Sequence, residues 1–427
     1  MSLRKDIAEL VEAEVISEKI AENILSYYQQ KSGQTSNRLV IAFGILGAIL
    51  VGLGIILIIA HNWDNLARPT KTIFAFLPLL IGQGLCTYVL TKQSDSTAWR
   101  EGSATFLFFA IGASISLVSQ IYNIPGNVSS FILTWMLLSL PLVYLLNSST
   151  VSLLYLIGIT NYASEVSYWS YPYEQSYLYW PLLLLIIPHY YRMYRSHPTG
   201  NFTLFHHWLV PLSVIITLGT LAQDQEELMF IAYLSLFGLL FLLGRFLVSD
   251  SSQGSSNSYS ALGSLGTVIL LLVLSFKDFW SELSREQFGT YEVVTSPEFA
   301  SAALLTLLAG GFFYLYVKST PLIDVEPISL VFLVFIPVFM VGLISTAAVV
   351  FINLLVFVIG LLTIRNGARI NHLGILNYGL LIITALVVCR FFDTDLSFVV
   401  RGMLFVSVGA GFFIANYRML KNRKANA

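Results

Sequence analysis

The stretch SATFLFFAIGASISLVSQI, residues 103–121, carries no charged side chain across 19 positions. As an α-helix it rises about 28 Å at 1.5 Å per residue, close to the roughly 30 Å hydrocarbon thickness of a bilayer. It lacks the strict apolar–polar alternation of a β-barrel strand, and a helix in lipid satisfies its own backbone hydrogen bonds. Outward from it, similar runs recur at 39–60, 72–91, 129–146, 148–163, 177–194, 203–222, 227–248, 259–277, 299–318, 326–345, 347–364, 371–389 and 396–417. Together they predict an all-α polytopic transmembrane bundle of about 14 spans. The stretch 148–163 is the weakest, being short and interrupted by Gly158 and Asn161. Were it re-entrant, every later span would invert.

Composition agrees with this class. The 427 residues are 56% hydrophobic and 11% charged, against roughly 25% charged in soluble domains. Mean hydropathy is +0.75. A formal net charge of −1 gives nucleic acid no electrostatic footprint. The two cysteines, Cys86 and Cys389, fall inside predicted spans, so no disulfide framework is implied, and no metal or cofactor motif is present. The first apolar run, beginning near Leu39, is too long for a signal-peptide core and is expected to stay as a helix.

Basic residues orient the bundle. Of 23 Lys and Arg, seventeen fall on one side if the N-terminus is cytoplasmic, five on the other, and Arg401 lies within the last span. The positive-inside rule then predicts both termini in the cytoplasm and a multi-pass protein of the inner (plasma) membrane. Residues 1–37 read as a cytoplasmic helical hairpin, with apolar stripes at Ile7, Leu10 and Val11 and at Ile16, Ile20, Ile24 and Tyr28. It is the expected contact for a cytoplasmic protein, or else a small cap on the bundle. An N-terminal membrane half (38–248), a flexible Ser/Gly/Asn linker (249–258), a C-terminal half (259–417) and a basic tail (418–427) complete the predicted layout. The segment Ser164–Tyr179 is an aromatic belt on the outer side, and acids gather at 223–227 and in the long loop 278–298, which ends on Glu298.

Gly44, Ala48 and Gly52 at four-residue spacing predict close helix contact, as do Gly310-Gly311 and Gly409-Ala410-Gly411. No Asp or Glu lies near the middle of a predicted span, which counts against an ion-coupled carrier. Arg401 is the lone intramembrane charge. Asp393 and Asp395 lie six to eight residues before it and are expected to fold back on it as a structural clamp. Adjacent His206 and His207 point to different helix faces and make a poor metal pair.

The polar residues converge at the predicted outer face. The first span closes with Ala60-His61-Asn62-Trp63-Asp64, and the third carries Ser116, Ser119 and Gln120, leading to Tyr122 and Asn123. Spacings of three and four place Ser116, Ser119, Gln120 and Asn123 on one helix face, whereas Ser114 lies off it. Such a seam must find partners on other helices or in a wet cavity. His61, Asn62, Trp63, Asp64, Ser116, Gln120, Tyr122 and Asn123 are therefore the candidate substrate-binding residues.

These segments resemble those of a prokaryotic family of polytopic membrane proteins with an N-terminal domain of unknown function. The likeness rests on Ala60-His61-Asn62-Trp63 closing a glycine-rich first span, and on Gly112, Ala113 and then Gln120-Ile121-Tyr122 in the third. It extends through Gly126 and Trp135, and returns as Arg390-Phe391-Phe392-Asp393 and Arg401-Gly402. The resemblance implies membrane topology and carries no activity. Three functions stay open: transport or handling of a lipid or small amphiphile, which leads narrowly; a scaffold or sensor; and an enzyme on a lipid-linked substrate. The enzyme would draw acid–base groups from His61, Asp64, Glu165, Glu174 and Asp393. Membrane lipids are the expected partners.

Overall fold

The computed structural model describes residues 66–169, 174–247, 257–283, 290–321 and 325–391, with scattered positions within 7–57 and 397–413. His61, Asn62, Trp63 and Asp64, the clamp of Asp393, Asp395 and Arg401, and most of the 1–37 hairpin lie outside the described residues. Among the described residues the regular structure is helical throughout, without strands.

In chain order the helices are α1 (Arg68–Lys92), α2 (Thr97–Tyr122), α3 (Val128–Leu145), α4 (Ser149–Ser164), α5 (Tyr179–Leu184), α6 (Ile187–Ser196), α7 (Asn201–Leu218), α8 (Met229–Leu247), α9 (Ser258–Val273), α10 (Lys277–Leu283), α11 (Thr290–Thr295), α12 (Pro297–Ser319), α13 (Val331–Gly342), α14 (Ala348–Arg369) and α15 (Leu373–Phe391). Eight of the described helices are long and apolar enough to cross a membrane: α1, α2, α3, α7, α8, α12, α14 and α15. The shorter α9 and α13 are also apolar. The protein is thus a membrane protein with multiple apolar helices.

Two predicted stretches take a form the hydropathy did not disclose. Residues 148–163 form an unbroken helix through Gly158 and Asn161, which a π-helical turn, Glu165–Trp169, continues. Gly158 is there for packing, since a Cβ would fall 2.1 Å from Met136 Sδ on α3. The stretch 177–194 is divided into α5 and α6 around Leu185–Ile186. Pro188 begins α6; it has no N–H to give and clashes with the carbonyl four residues back, which stops α5.

The chain forms two compact units: residues 1–166 with 178–206, and residues 167–177 with 207–427. The division falls inside α7. Helices α8 and α9, on either side of the 249–258 segment, pack directly against each other. A Cβ on Gly263 would lie 2.5 Å from both Phe237 O and Phe241 N, so the two backbones meet without an intervening side chain.

In the first unit α2 is the most buried span and α1, α3 and α4 pack on it. Ser114 Oγ donates to Ala75 O at 2.6 Å, and Trp135 Nε1 donates to Phe108 O at 2.8 Å. Each such interhelical bond contributes about 0.6 kcal/mol in a bilayer. The second unit is built around α8, which contacts α9, α12 and α13. Leu239, Leu242, Ala309, Tyr316 and Phe332 form one of its core clusters. The fully buried Trp280 lies over Gly342 and donates Nε1 to Leu274 O at 2.6 Å.

Among the described residues, the closest backbone approaches fall at other glycines than those picked out by spacing. Around Gly44, Gly310, Gly311, Gly409 and Gly411 no atom of a described residue lies within 4 Å of a built Cβ. Close approaches occur instead at Gly112, Gly158, Gly238, Gly263, Gly360, Gly367 and Gly379. Only 17% of the span window in α12 is buried, so Gly310-Gly311 lies on a helix with few neighbours.

Candidate functional site

The predicted polar seam borders a groove of about 920 Å³ formed by α1, α2, the loop 124–127 and α3. From α1 come Phe76, Leu79 and Gln83, and from α3 Phe131, Thr134 and Leu138. From α2 come Ile111, Ser114, Ile115, Ser116, Val118, Ser119 and Gln120. Hydroxyl and amide groups therefore share this groove with aromatic and aliphatic carbon.

Local sequence explains the shape. Helix α2 ends at Tyr122 because Asn123 takes the left-handed conformation (φ 51°), which Asn tolerates better than most residues. Ile124 N then closes the end by donating to Ser119 O at 2.9 Å. Asn127 restarts the chain: its side chain accepts from Ser130 N at 2.8 Å while Ser130 Oγ accepts from Asn127 N at 3.4 Å, a capping box that sets the first turn of α3. The short loop between holds the two helix ends apart as walls of the groove.

Among the candidate residues, Ser116 and Gln120 line the groove. Among the described residues neither makes a hydrogen bond to another residue, and both are exposed. Ser119 is committed otherwise, donating Oγ to Ile124 O at 3.0 Å. Tyr122 shares a hydrogen bond with Thr72 on α1 at 3.1 Å and is not among the lining residues. Asn123 serves as the helix cap, because α2 stops before the shared face reaches it. Of the acid–base candidates for an enzyme, Glu165 caps the end of α4 and Glu174 accepts from Ser167 Oγ through its backbone carbonyl at 2.6 Å. Neither lines the groove.

The adjacent histidines diverge as their spacing requires. His206 contacts Ser152 Oγ through Nε2 at 2.7 Å and stacks on Tyr190. His207 lies edge-on to Tyr259. Among the described residues no group of three or more His, Cys, Asp or Glu is placed to hold a metal ion.

Sequence inspection missed a buried carboxylate. Glu101, in the second turn of α2, is 3% exposed and accepts from Ser148 Oγ at 2.5 Å, Ser149 N at 2.9 Å and Thr150 N at 3.0 Å. It caps the N-terminus of α4 from another helix, where the helix dipole favours negative charge. Glu298, expected in the acidic outer loop, is likewise fully buried and accepts from Gln223 N and Gln225 N. Both lie within the first two turns of their helices, outside the apolar runs, so hydropathy alone gave no sign of them. The only available signal for Glu101 was a lone acid beside an apolar run.

Residues 8–152 match the family described as Predicted membrane protein (DUF2157), a domain of unknown function. That segment holds α1, α2, α3 and the first turn of α4, and with them the whole groove. No curated protein and no solved structure matches the chain. Within the matched segment, Gly112 and Trp135 are in direct contact: a Cβ on Gly112 would fall 2.5 Å from the indole ring.

Proposed function

We propose that the groove between α1, α2 and α3 binds a lipid or small amphiphile for handling or transport at the outer face of the plasma membrane. The observation that carries this reading is the uncommitted pair Ser116 and Gln120, which borders about 920 Å³ also lined by Phe76, Leu79, Phe131 and Leu138. Polar groups with no protein partner in a membrane domain call for water or a polar ligand. The aromatic and aliphatic wall suits a hydrocarbon chain, and the size falls within the usual 300–1,000 Å³ of small-molecule sites. The polar end would hold the head of the amphiphile and the apolar wall its tail.

The reading is tested in a Cys86→Ala, Cys389→Ala background. Gln120→Cys is expected to react with a small charged thiol reagent, and to be protected when the protein sits in a native lipid extract rather than in detergent alone. A cysteine that never reacts in either setting would make Gln120 a buried structural residue and remove the groove as a site.

A further inference from the structure

At the opposite end of α2 lies a second cavity, of about 660 Å³, within the same compact unit. Residues 100 and 120 are separated by about 30 Å along the helix at 1.5 Å per residue. Six residues define its character: Arg100, Glu101, Asn147, His189, Arg192 and His197.

His189 is 4% exposed, yet neither of its ring nitrogens has a hydrogen-bond partner. It is held in place by Tyr144, whose ring meets it edge-on and whose hydroxyl donates to Leu185 O at the break between α5 and α6. Arg100 Nε is also buried and unpartnered. Arg192 donates Nη1 to Asn147 Oδ1 at 3.3 Å, which leaves most of its guanidinium donors unused. The single carboxylate, Glu101, is saturated by three donors at the start of α4. Donors therefore outnumber free acceptors around the cavity, and the balance of charge is positive.

We propose that this cavity binds a phosphate group, presented by a lipid headgroup or by a small soluble phosphate ester. Two guanidinium groups offer the planar fork that phosphate oxygens take in pairs, and a buried imidazole supplies a further donor. The basic-residue count places this end of α2 on the cytoplasmic side, where basic pockets between helices meet anionic headgroups. The proposal stands apart from the groove and survives or falls without it.

The test is native mass spectrometry of the full chain, titrated separately with dioleoyl phosphatidic acid and with sn-glycerol 3-phosphate. One-to-one saturable binding is expected, weakened at least tenfold by Arg192→Gln and by His189→Leu. Arg192 is exposed, so its variant keeps a folded protein even if His189→Leu does not. Lys92→Gln removes an exposed cation that does not line the cavity, and should leave binding unchanged. Binding of phosphatidic acid alone assigns the lipid source, and binding of both assigns the soluble ester as well. Absence of saturable binding to either, or an equal loss in Lys92→Gln, would overturn the proposal.

Discussion

Glu101 and Trp135 each do work that no neighbouring residue duplicates. Glu101→Ala would leave Ser149 N and Thr150 N without their acceptor at a buried helix start, a loss of about 1–3 kcal/mol. Glu101→Gln keeps one acceptor oxygen and should fall between Ala and the wild type. Denaturant unfolding in mixed micelles orders the three; equal stability of Ala and wild type would show that the cap contributes nothing. Trp135→Phe removes both the indole bond to Phe108 O and part of the ring packed on Gly112, so about 1 kcal/mol is expected. Gly112→Leu drives carbon into the indole and should cost more, about 1–3 kcal/mol. Gly112 and Trp135 were legible as motif residues; that they touch was not, because nothing in a linear sequence sets the register of α2 against α3.

Among the helices, glycine shows why spacing alone misleads. Gly263 and Gly311 are the same residue in equally apolar stretches, yet only Gly263 faces a backbone. Gly263→Ala would push Cβ against Phe237 O and Phe241 N, neither of which can rotate away, and should destabilise the α8–α9 pair by about 1–3 kcal/mol. Gly311→Ala has open space and gains helix propensity, so a stabilising effect of up to about 1 kcal/mol is expected. Unfolding midpoints of the two variants should move in opposite directions. The positions of the eight long described helices were legible, since hydropathy is a local property that records contact with lipid. The kink at Pro188 and the burial of Glu101 and His189 were less so, because they depend on which helix ends meet.

At the scale of the whole molecule, the positive-inside imbalance makes a claim about sides. Ser94, in the loop between α1 and α2, should label as Ser94→Cys only from the cytoplasm, and Asn127→Cys only from outside intact cells. The reverse pattern would exchange the faces assigned to the groove and to the arginine cavity. With the sides as stated, α2 carries a polar groove near one surface of the bilayer and a basic cavity near the other. An amphiphile held in the groove is the central functional claim for this protein. Native mass spectrometry of the gently purified protein tests this directly, comparing wild type with Gln120→Ala and Thr134→Val. A defined lipid or amphiphile on the wild type that is lost or weakened at least tenfold in both folded variants is the predicted result. A wild type that carries no bound species, or variants that retain it fully, would contradict it.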